Sequence, residues 1–196
     1  MKFIWKQKIN FLCSYDNFIK VKLPLIPQIA FLGASNVGKS SLINALCNKS
    51  NLAKISKTPG RTRFANFFNV ADKLILVDLP GYGYARYDEK KINKIILEYL
   101  VFSQNQNSLI NLLIDIRRGL RPNDVDILSE ISFYQLNLQI IITKQDKLNK
   151  RDQLLSNNLL IQNLKNLKVK SNIINTSSSE NIGISEFKKS IYNFLI

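Results

Sequence analysis

Short apolar runs alternate with longer stretches of helical periodicity along this chain. Near-continuous apolar runs predict strands covered on both faces, because a strand with one solvent face alternates apolar and polar residues. Predicted strands lie over residues 28–32, 65–70, 73–77, 109–116, 138–142 and 172–175. Apolar residues at helical spacing predict helices over residues 39–47, 91–102, 124–134, 152–167 and 184–195.

The order of these elements predicts the fold class. Strands 65–70 and 73–77 are separated by Ala71 and Asp72 alone, which indicates an antiparallel hairpin. Elsewhere a helix lies between consecutive strands, which is typical of parallel pairs. We therefore predict a three-layer α/β domain with a six-stranded, mostly parallel sheet, one antiparallel strand and helices on both faces. Residues 25–196 are expected to form it, with residues 1–24 as an N-terminal extension packed on it.

Basic residues outnumber acidic ones two to one. The 196 residues include 28 Lys and Arg against 14 Asp and Glu, which gives a net charge of +14. This excess favours a polyanionic partner, either nucleic acid or an acidic membrane surface. Lys, Asn and Ile are all abundant, which an AT-rich genome would also produce. Charge alone does not separate a functional cause from codon bias.

Composition excludes several kinds of chemistry. The chain has no histidine, so it has no imidazole base and no His-ligated metal. Cys13 and Cys47 are too few for a disulfide framework, and we expect both to be reduced in the cytoplasm. Lys6, Lys8 and Asp16 interrupt the N-terminal apolar residues, and no run of apolar residues is long enough for a membrane span.

A phosphate-binding motif follows the first predicted strand and opens the first predicted helix. The pattern G-x-x-x-x-G-K-S is formed by Gly33, Ala34, Ser35, Asn36, Val37, Gly38, Lys39 and Ser40. Its glycines let the backbone turn tightly, so that consecutive N–H groups meet phosphate oxygens at a helix N-terminus. Lys39 is expected to reach the β- and γ-phosphates, and the Ser40 hydroxyl to ligate Mg²⁺.

Two further motifs indicate which nucleotide is bound. The run Asp78, Leu79, Pro80 and Gly81 ends a buried strand, which places Asp78 to hold Mg²⁺ through a water and the Gly81 N–H to meet the γ-phosphate. A later strand ends in Thr143, Lys144, Gln145 and Asp146. The Asp146 carboxylate can accept from guanine N1–H and the N2 amino group, and adenine offers neither donor in that arrangement.

Two loops complete the predicted site. The last strand ends in Thr176, Ser177 and Ser178, where the backbone N–H of Ser178 is placed to meet the base O6. Residues 56–63, between the phosphate motif and the hairpin, are polar and basic. A hydroxyl there, assigned to Thr62, would complete the Mg²⁺ coordination when the γ-phosphate is present and so act as an order–disorder switch.

These elements, in this order, resemble the P-loop NTPases with a Ras-like G domain, and in detail the EngB family of ribosome-biogenesis GTPases. The resemblance covers nearly the whole chain. The strings that carry it are Ile29–Phe31, Ser35–Asn44, Pro59–Thr62, Asn66–Phe68, Asp78–Ala85, Asp115–Arg118 and Thr143–Leu148. Asp78–Ala85 (D-L-P-G-Y-G-Y-A) is the most specific part. The chain departs from the family's usual residues at Ala34 and Arg118, and in its serine-rich last loop.

The resemblance implies GTP binding and slow hydrolysis as a switch in late assembly of the large ribosomal subunit, with a role in normal cell division and growth. It assigns Mg²⁺ to Ser40 and Thr62, and GTP to residues 33–40, 60–64, 78–81, 143–146 and 176–178. Within the second of these ranges the residues are Gly60, Arg61, Thr62, Arg63 and Phe64. Catalytic roles fall to Lys39, Thr62 and Asn36. The expected protein is a cytoplasmic monomer whose partner is the large ribosomal subunit, through rRNA and ribosomal proteins.

The residue after Gly81 limits the expected rate. Many GTPases have a glutamine there that orients the attacking water, whereas this chain has Tyr82, so intrinsic turnover should be slow until an activator completes the site. We hypothesise that Asn36 holds K⁺, whose charge replaces that of an arginine finger. The alternative interpretation is that Asn36 serves only as a turn residue. Tyr82, Tyr84 and Tyr87 either form a partner-facing surface or pack on a helix.

Three functions remain open from the sequence. The first is a GTPase that assists ribosome assembly, with Arg117, Arg118 and Arg121 either on rRNA phosphates or in a solvated loop. The second is a GTP-dependent regulator of protein or membrane partners that binds no RNA. The third is a nucleotide-binding RNA module with negligible hydrolysis. Salt dependence of subunit binding separates the first two, and GTP turnover with and without subunits separates the first from the third.

Overall fold

The structure is a computed structural model that describes residues 5, 7–18, 21–49, 52–53, 64–83 and 89–196. These residues form seven strands and five α-helices. The strands are β1 (Ile9–Tyr15), β2 (Gln28–Gly33), β3 (Ala65–Val70), β4 (Leu74–Asp78), β5 (Ser108–Asp115), β6 (Asn137–Thr143) and β7 (Asn172–Asn175). The helices are α1 (Lys39–Cys47), α2 (Glu89–Ser103), α3 (Pro122–Phe133), α4 (Lys150–Asn166) and α5 (Ile184–Leu195).

All seven strands belong to one sheet in the order β1-β3-β4-β2-β5-β6-β7. The β4–β2, β2–β5, β5–β6 and β6–β7 pairs are parallel, and β3 is antiparallel to both of its neighbours. One strand therefore runs against the other six. The predicted fold class, a mostly parallel α/β sheet with one antiparallel strand, is confirmed.

The predicted number of strands was wrong, because β1 adds a seventh at the sheet edge. It pairs with β3 from Ile9 opposite Val70 to Tyr15 opposite Ala65, with a bulge after Phe11. Its side chains are mostly exposed or half-buried, so it lacks the continuous apolar run that marks the central strands. The boundary between an extension and the domain near residue 24 stays a prediction.

The hairpin between β3 and β4 is confirmed. Ala71 and Asp72 both adopt left-handed φ angles of 56° and 54°, and the Lys73 N–H donates to Val70 O at 3.0 Å. Positive φ at both central residues is the turn geometry that matches the twist of paired strands. The predicted second strand begins one residue later than expected, at Leu74.

Helices cover both faces of the sheet. Buried residues of α1 and α5 pack on one face, and buried residues of α2, α3 and α4 pack on the other. The longest described helix, α4, has 17 residues, and within the described part of the chain no helix has the length and apolar character to cross a membrane. The carboxyl ends of the parallel strands meet at one edge, which brings together Gly33, Asp78, Asp115, Thr143 and Asn175.

Candidate functional site

The turn between β2 and α1 has the backbone that its motif predicts. Asn36 and Gly38 adopt positive φ angles of 62° and 116°. Gly38 caps α1, and its carbonyl accepts from the Leu42 N–H at 2.9 Å. The left-handed conformation at the cap favours glycine, because a Cβ there would be strained. The free N–H groups of the first helical turn and the helix dipole make this end of α1 suited to an anion.

Lys39 lies buried beneath this turn. Its Nζ donates to Gly33 O at 3.0 Å and to Ala34 O at 3.3 Å. Burial lowers the pKa of Lys39 to about 8, against the opposing effect of the Asp78 carboxylate. The ammonium is thus held at the turn by two carbonyl groups, in surroundings that disfavour its charge.

Asp78 ends β4 beside the same turn and is also buried. The Ser40 hydroxyl donates to Asp78 Oδ2 at 3.5 Å, whereas Asp78 Oδ1 has no hydrogen-bond partner among the described residues. Burial raises the pKa of Asp78 to about 6, against the effects of Lys39 and the Ser40 hydrogen bond. A buried, unpaired carboxylate oxygen next to a serine hydroxyl fits a hard, oxygen-ligated cation such as Mg²⁺.

The segment after Asp78 lies directly against the phosphate turn. Leu79 and Pro80 are buried, and the Leu79 N–H donates to Phe31 O at 3.2 Å. A Cβ added at Gly81 would lie 2.8 Å from Ser35 Cα and 2.9 Å from Lys39 Nζ. Glycine is therefore required at position 81 by close approach to the backbone of the turn.

Tyr82 is buried, and its backbone and its side chain both make hydrogen bonds. Its carbonyl accepts from the Ser35 N–H at 2.8 Å, and its hydroxyl donates to Asp124 Oδ1 at 2.5 Å. Asp124 Oδ2 accepts from the Arg121 N–H at 2.8 Å at the start of α3. Tyr82 therefore packs against a helix, α3, which is one of the two interpretations given for the tyrosines; the other was a partner-facing surface. Asp124 was missed, since nothing in the sequence links it to a tyrosine 42 residues away.

The loop after β6 is attached to the phosphate turn by two side chains. Thr143 Oγ1 donates to Val37 O at 2.8 Å. Lys144 Nζ donates to Asn36 O at 2.7 Å, across the exposed side of the turn. The predicted base-reading and phosphate-binding motifs are therefore adjacent, although more than a hundred residues separate them.

Asp146 stands at the meeting point of the loops after β6 and β7. Its Oδ2 lies 2.8 Å from Lys147 Nζ, and its Oδ1 accepts from Ser177 Oγ at 2.6 Å. These hydrogen bonds, first that of Lys147 and then that of Ser177, lower the pKa of Asp146 to about 2. An ionised carboxylate with two acceptor oxygens is the group that a guanine edge requires.

Supporting contacts hold the two loops together. The Gln145 side chain is buried and donates to Asn175 Oδ1 at 2.6 Å, while its N–H donates to Thr176 O at 3.2 Å. The Thr176 N–H donates to Ile142 O at 2.7 Å. Ser178, predicted to meet the base, is half-buried near the start of the loop that follows β7.

The remaining predicted residues are placed only in part. Gly60, Arg61, Thr62 and Arg63 lie outside the described residues, as do Tyr84 and Tyr87. Phe64 immediately precedes β3 with 43% of its surface exposed, and Lys91 Nζ stands 5.9 Å from its ring centroid. The assignments of Thr62 to Mg²⁺ and of residues 60–64 to GTP stay predictions.

Asp115, at the end of β5, is a site residue for which the sequence motifs predict no role. Its carboxylate accepts from both Arg117 and Lys144, and Arg118 and Arg121 are exposed in the following loop. Asp115 also pairs with Thr143 in the sheet register, which places it at the same edge as Asp78. An aspartate ending a buried strand at that edge is the signal that points to it.

Comparisons of the sequence point to one family. The sequence model of a family described as "50S ribosome-binding GTPase" matches residues 28–144. A protein of Rickettsia felis named "Probable GTP-binding protein EngB" is 42% identical over 191 residues, covering 96% of this chain and 89% of the relative. A protein of the same name from Rickettsia bellii is 47% identical over 169 residues, covering 85% of this chain and 78% of the relative.

Solved structures share the fold. The crystal structure of a probable GTP-binding protein engB has a TM-score of 0.66 at 23% identity, covering 86% of this chain and 98% of that chain. The structure of Era in complex with MgGDPNP and a segment of 16S ribosomal RNA has a TM-score of 0.70 at 24% identity, covering 86% of this chain and 56% of that one. At these identities the likeness supports the architecture alone.

Proposed function

The chain belongs to the EngB family of GTP-binding proteins, and on that premise we propose that it binds GTP with Mg²⁺, hydrolyses it slowly and acts as a switch in late assembly of the large ribosomal subunit. Family membership makes it a GTPase. The particular residues, the rate, the cations and the ribosomal role are the content of the proposal, which extends to a need for the protein in cell division and growth.

The observation that carries the proposal is the arrangement of buried charges at the phosphate turn. Lys39 and Asp78 are both buried, at 8% and 3% exposure, and burial opposes the charge of each. Buried charges are costly unless they are paired or coordinate a ligand. A triphosphate on the turn would pair with Lys39, and a cation would pair with Asp78, so the two ligands together supply what the protein alone lacks.

The magnesium site would be formed by Ser40 and Thr62 as direct ligands, with Asp78 holding a coordinated water. When bound there, Mg²⁺ neutralises charge on the β- and γ-phosphate oxygens. Ser40 Oγ now points at Asp78 Oδ2, so the hydroxyl and carboxylate already share one small region. Asp78 Oδ1, which has no described partner, is free to accept from that water.

Guanine recognition is assigned to the loops after β6 and β7. Asp146 would accept from N1–H and the N2 amino group, and the Ser178 N–H would donate to O6. Ser177 and Lys147 already orient the Asp146 carboxylate. The residues proposed to contact GTP are those of ranges 33–40, 60–64, 78–81, 143–146 and 176–178.

Slow intrinsic hydrolysis is proposed because Tyr82 replaces a water-orienting side chain. Its hydroxyl is committed to Asp124, and its ring is buried in the core. An activator, K⁺ at Asn36 or a ribosomal partner, would then complete the site. GTP turnover in the presence of large subunits should be faster in KCl than in NaCl; equal rates in the two salts contradict the role given to K⁺.

The ribosomal role has two supports. The matched family model is described as 50S ribosome-binding, and the net charge of +14 suits rRNA. We propose that the protein acts as a cytoplasmic monomer. The deciding experiment is co-sedimentation with purified large subunits in a GTP analogue and in GDP, beside calorimetry with GTP and ATP. We expect GTP-selective binding and nucleotide-dependent co-sedimentation that weakens steeply with salt. GTP selectivity without co-sedimentation would favour a regulator of protein or membrane partners.

A further inference from the structure

We propose that Asp115 is a positioning residue for guanine-nucleotide binding, which holds Lys144 in place over the phosphate turn. Asp115 ends β5, and among the described residues its carboxylate pairs with Arg117 and Lys144, and with neither the phosphate turn nor Asp146. Its effect would pass through Lys144, the lysine of the base-reading motif. The inference rests on the proposed GTP site and gives a role to a residue outside the proposed GTP contacts.

The Asp115 carboxylate is shared by two cationic side chains, those of Arg117 and Lys144. Its Oδ2 lies 2.9 Å from Lys144 Nζ and 2.7 Å from Arg117 Nη2. Its Oδ1 accepts from Arg117 Nε at 3.0 Å and from the Arg117 N–H at 3.1 Å. Arg117 therefore donates to the carboxylate from two guanidinium nitrogens and from its backbone N–H. These hydrogen bonds fix the carboxylate plane and leave Oδ2 directed at Lys144.

Lys144 is the link between this carboxylate and the nucleotide. Its Nζ also donates to Asn36 O at 2.7 Å, so the lysine spans the phosphate turn from β6 toward β5. Its backbone adopts a left-handed φ of 62°, which starts the short 3-10 helix Gln145–Lys147 carrying Asp146. Fixing the far end of Lys144 therefore restrains its side chain and the start of the loop that carries Asp146.

Asp115 contacts two cations, Arg117 and Lys144, and this number shows whether the carboxylate positions Lys144 or only needs its charge. Arg117 alone occupies both carboxylate oxygens, so a second cation is not required to satisfy Asp115. The Asp115 side chain is 5% exposed and that of Lys144 is 26% exposed. Lys144 is the partly exposed partner, which would gain freedom if the carboxylate were absent. Asp115 thus restrains Lys144, rather than Lys144 being needed to neutralise Asp115.

The test compares Asp115→Asn with the wild type and with Asp72→Asn. Asn keeps the volume of Asp115 and an oxygen that can accept from the Arg117 N–H. Asp72 is a matched control, because it is exposed in the β3–β4 turn at the opposite end of the sheet and pairs only locally, with Asn69 Nδ2 at 2.6 Å. GDP and GTP dissociation constants and the GDP release rate would be measured by fluorescent nucleotide exchange, and the unfolding temperature without nucleotide by circular dichroism.

We expect Asp115→Asn to weaken GDP and GTP binding alike by about tenfold, chiefly through faster release, because the contact serves the base side and not the γ-phosphate. The control should match the wild type. A purely structural role would lower the unfolding temperature and leave the release rate of the folded protein unchanged. That result, or equal release rates in all three proteins, overturns the proposal.

A double-mutant cycle with Lys144→Met tests whether Lys144 carries the effect. In the Lys144→Met background, Asp115→Asn should change GDP release by less than about twofold, since the residue it acts on is gone. A full tenfold effect in that background would show that Asp115 acts by another route and would overturn the proposal. If the wild type binds no guanine nucleotide, the proposed function itself fails, and that outcome is separate from either result.

Discussion

The two ends of the candidate site differ in how their charges are held. At the phosphate end, Lys39 and Asp78 are buried, burial shifts both pKa values toward the neutral forms, and one carboxylate oxygen has no described partner. At the base end, hydrogen bonds hold Asp115 and Asp146 in their ionised forms. The base end is assembled by the protein alone, whereas the phosphate end is completed by ligands.

This difference follows from what each end must recognise. A triphosphate and its cation bring several charges. An end whose own buried charges lack protein partners therefore gains the most binding free energy when these ligands pair with them. A guanine edge is neutral and is recognised by the direction of its hydrogen bonds, so its acceptor must already be oriented. Ser177 and Lys147 supply that orientation to the Asp146 carboxylate before any base is bound.

The largest effect is expected from Asp146→Asn at the base end. The change replaces two acceptors by one acceptor and one donor. Guanine therefore loses a hydrogen bond to a charged carboxylate, whereas xanthine, with a carbonyl in place of the amino group, gains a neutral hydrogen bond from the Asn amide. We expect GTP affinity to fall about a thousandfold and XTP affinity to rise. Competition binding with both nucleotides measures this, with the exposed Asp126→Asn on α3 as control. Unchanged GTP affinity would contradict the base assignment.

A second, smaller loss tests the phosphate end. Ser40→Ala removes the hydroxyl beside Asp78 and should lower GTP affinity about a hundredfold in Mg²⁺, while leaving affinity in EDTA nearly unchanged. The neighbouring Ser41→Ala, one position further along α1, is the matched control. Titration of GTP with and without Mg²⁺ gives the result. Equal Mg²⁺ dependence in both variants would remove Ser40 from the metal site.

Much of this comparison could be predicted from local sequence. The phosphate turn follows from Gly33, Gly38 and Lys39, whose spacing fixes a backbone conformation within eight residues. The central strands follow from continuous apolar runs, because a strand buried on both faces has no polar alternation. The five helices were predicted with end shifts of a few residues, as expected where caps decide the ends.

The parts that were missed depend on distant partners. Strand β1 is half-exposed and becomes a strand by pairing with β3, more than fifty residues later. The hydroxyl of Tyr82 donates to Asp124 on α3, and Asp115 forms an ion pair with Lys144, which follows the neighbouring strand β6. Each of these contacts depends on how the helices and strands pack. The local sequence around one residue of a pair does not predict the other residue.

Tyr82→Phe tests a contact at the flank of the phosphate end, with an expected effect on stability. The change removes the hydroxyl that donates to Asp124 and keeps the buried ring. We expect a loss of about 1–2 kcal/mol in the free energy of unfolding, or roughly 2–8 °C in unfolding temperature. Thermal unfolding followed by circular dichroism measures it. The control is Tyr192→Phe, on the partly exposed side of α5. If both variants melt together, the Tyr82–Asp124 hydrogen bond does not hold this segment.

The smallest expected effect concerns pH, and it separates the two ends most directly. Asp146 and Asp115 each have a pKa of about 2, below the ordinary value for a carboxyl, so the stabilisation from their ionised forms is present above the ordinary pKa and is lost only as the pH falls through the lowered one. Between about pH 5 and pH 8, the ratio of GDP to IDP affinity should therefore stay constant within about twofold.

Absolute affinities have no such reason to stay constant, because the pKa of Lys39 is about 8 and that of Asp78 about 6, both within the same window. GDP and IDP carry the same phosphates, so titration at the phosphate end changes both affinities equally and cancels in their ratio. Competition binding of the two nucleotides at several pH values measures this. A ratio that falls as the solution is acidified from about pH 8 to pH 5 would mean that a base-end carboxylate is being protonated, and the contrast between a preassembled end and a ligand-completed end would be lost.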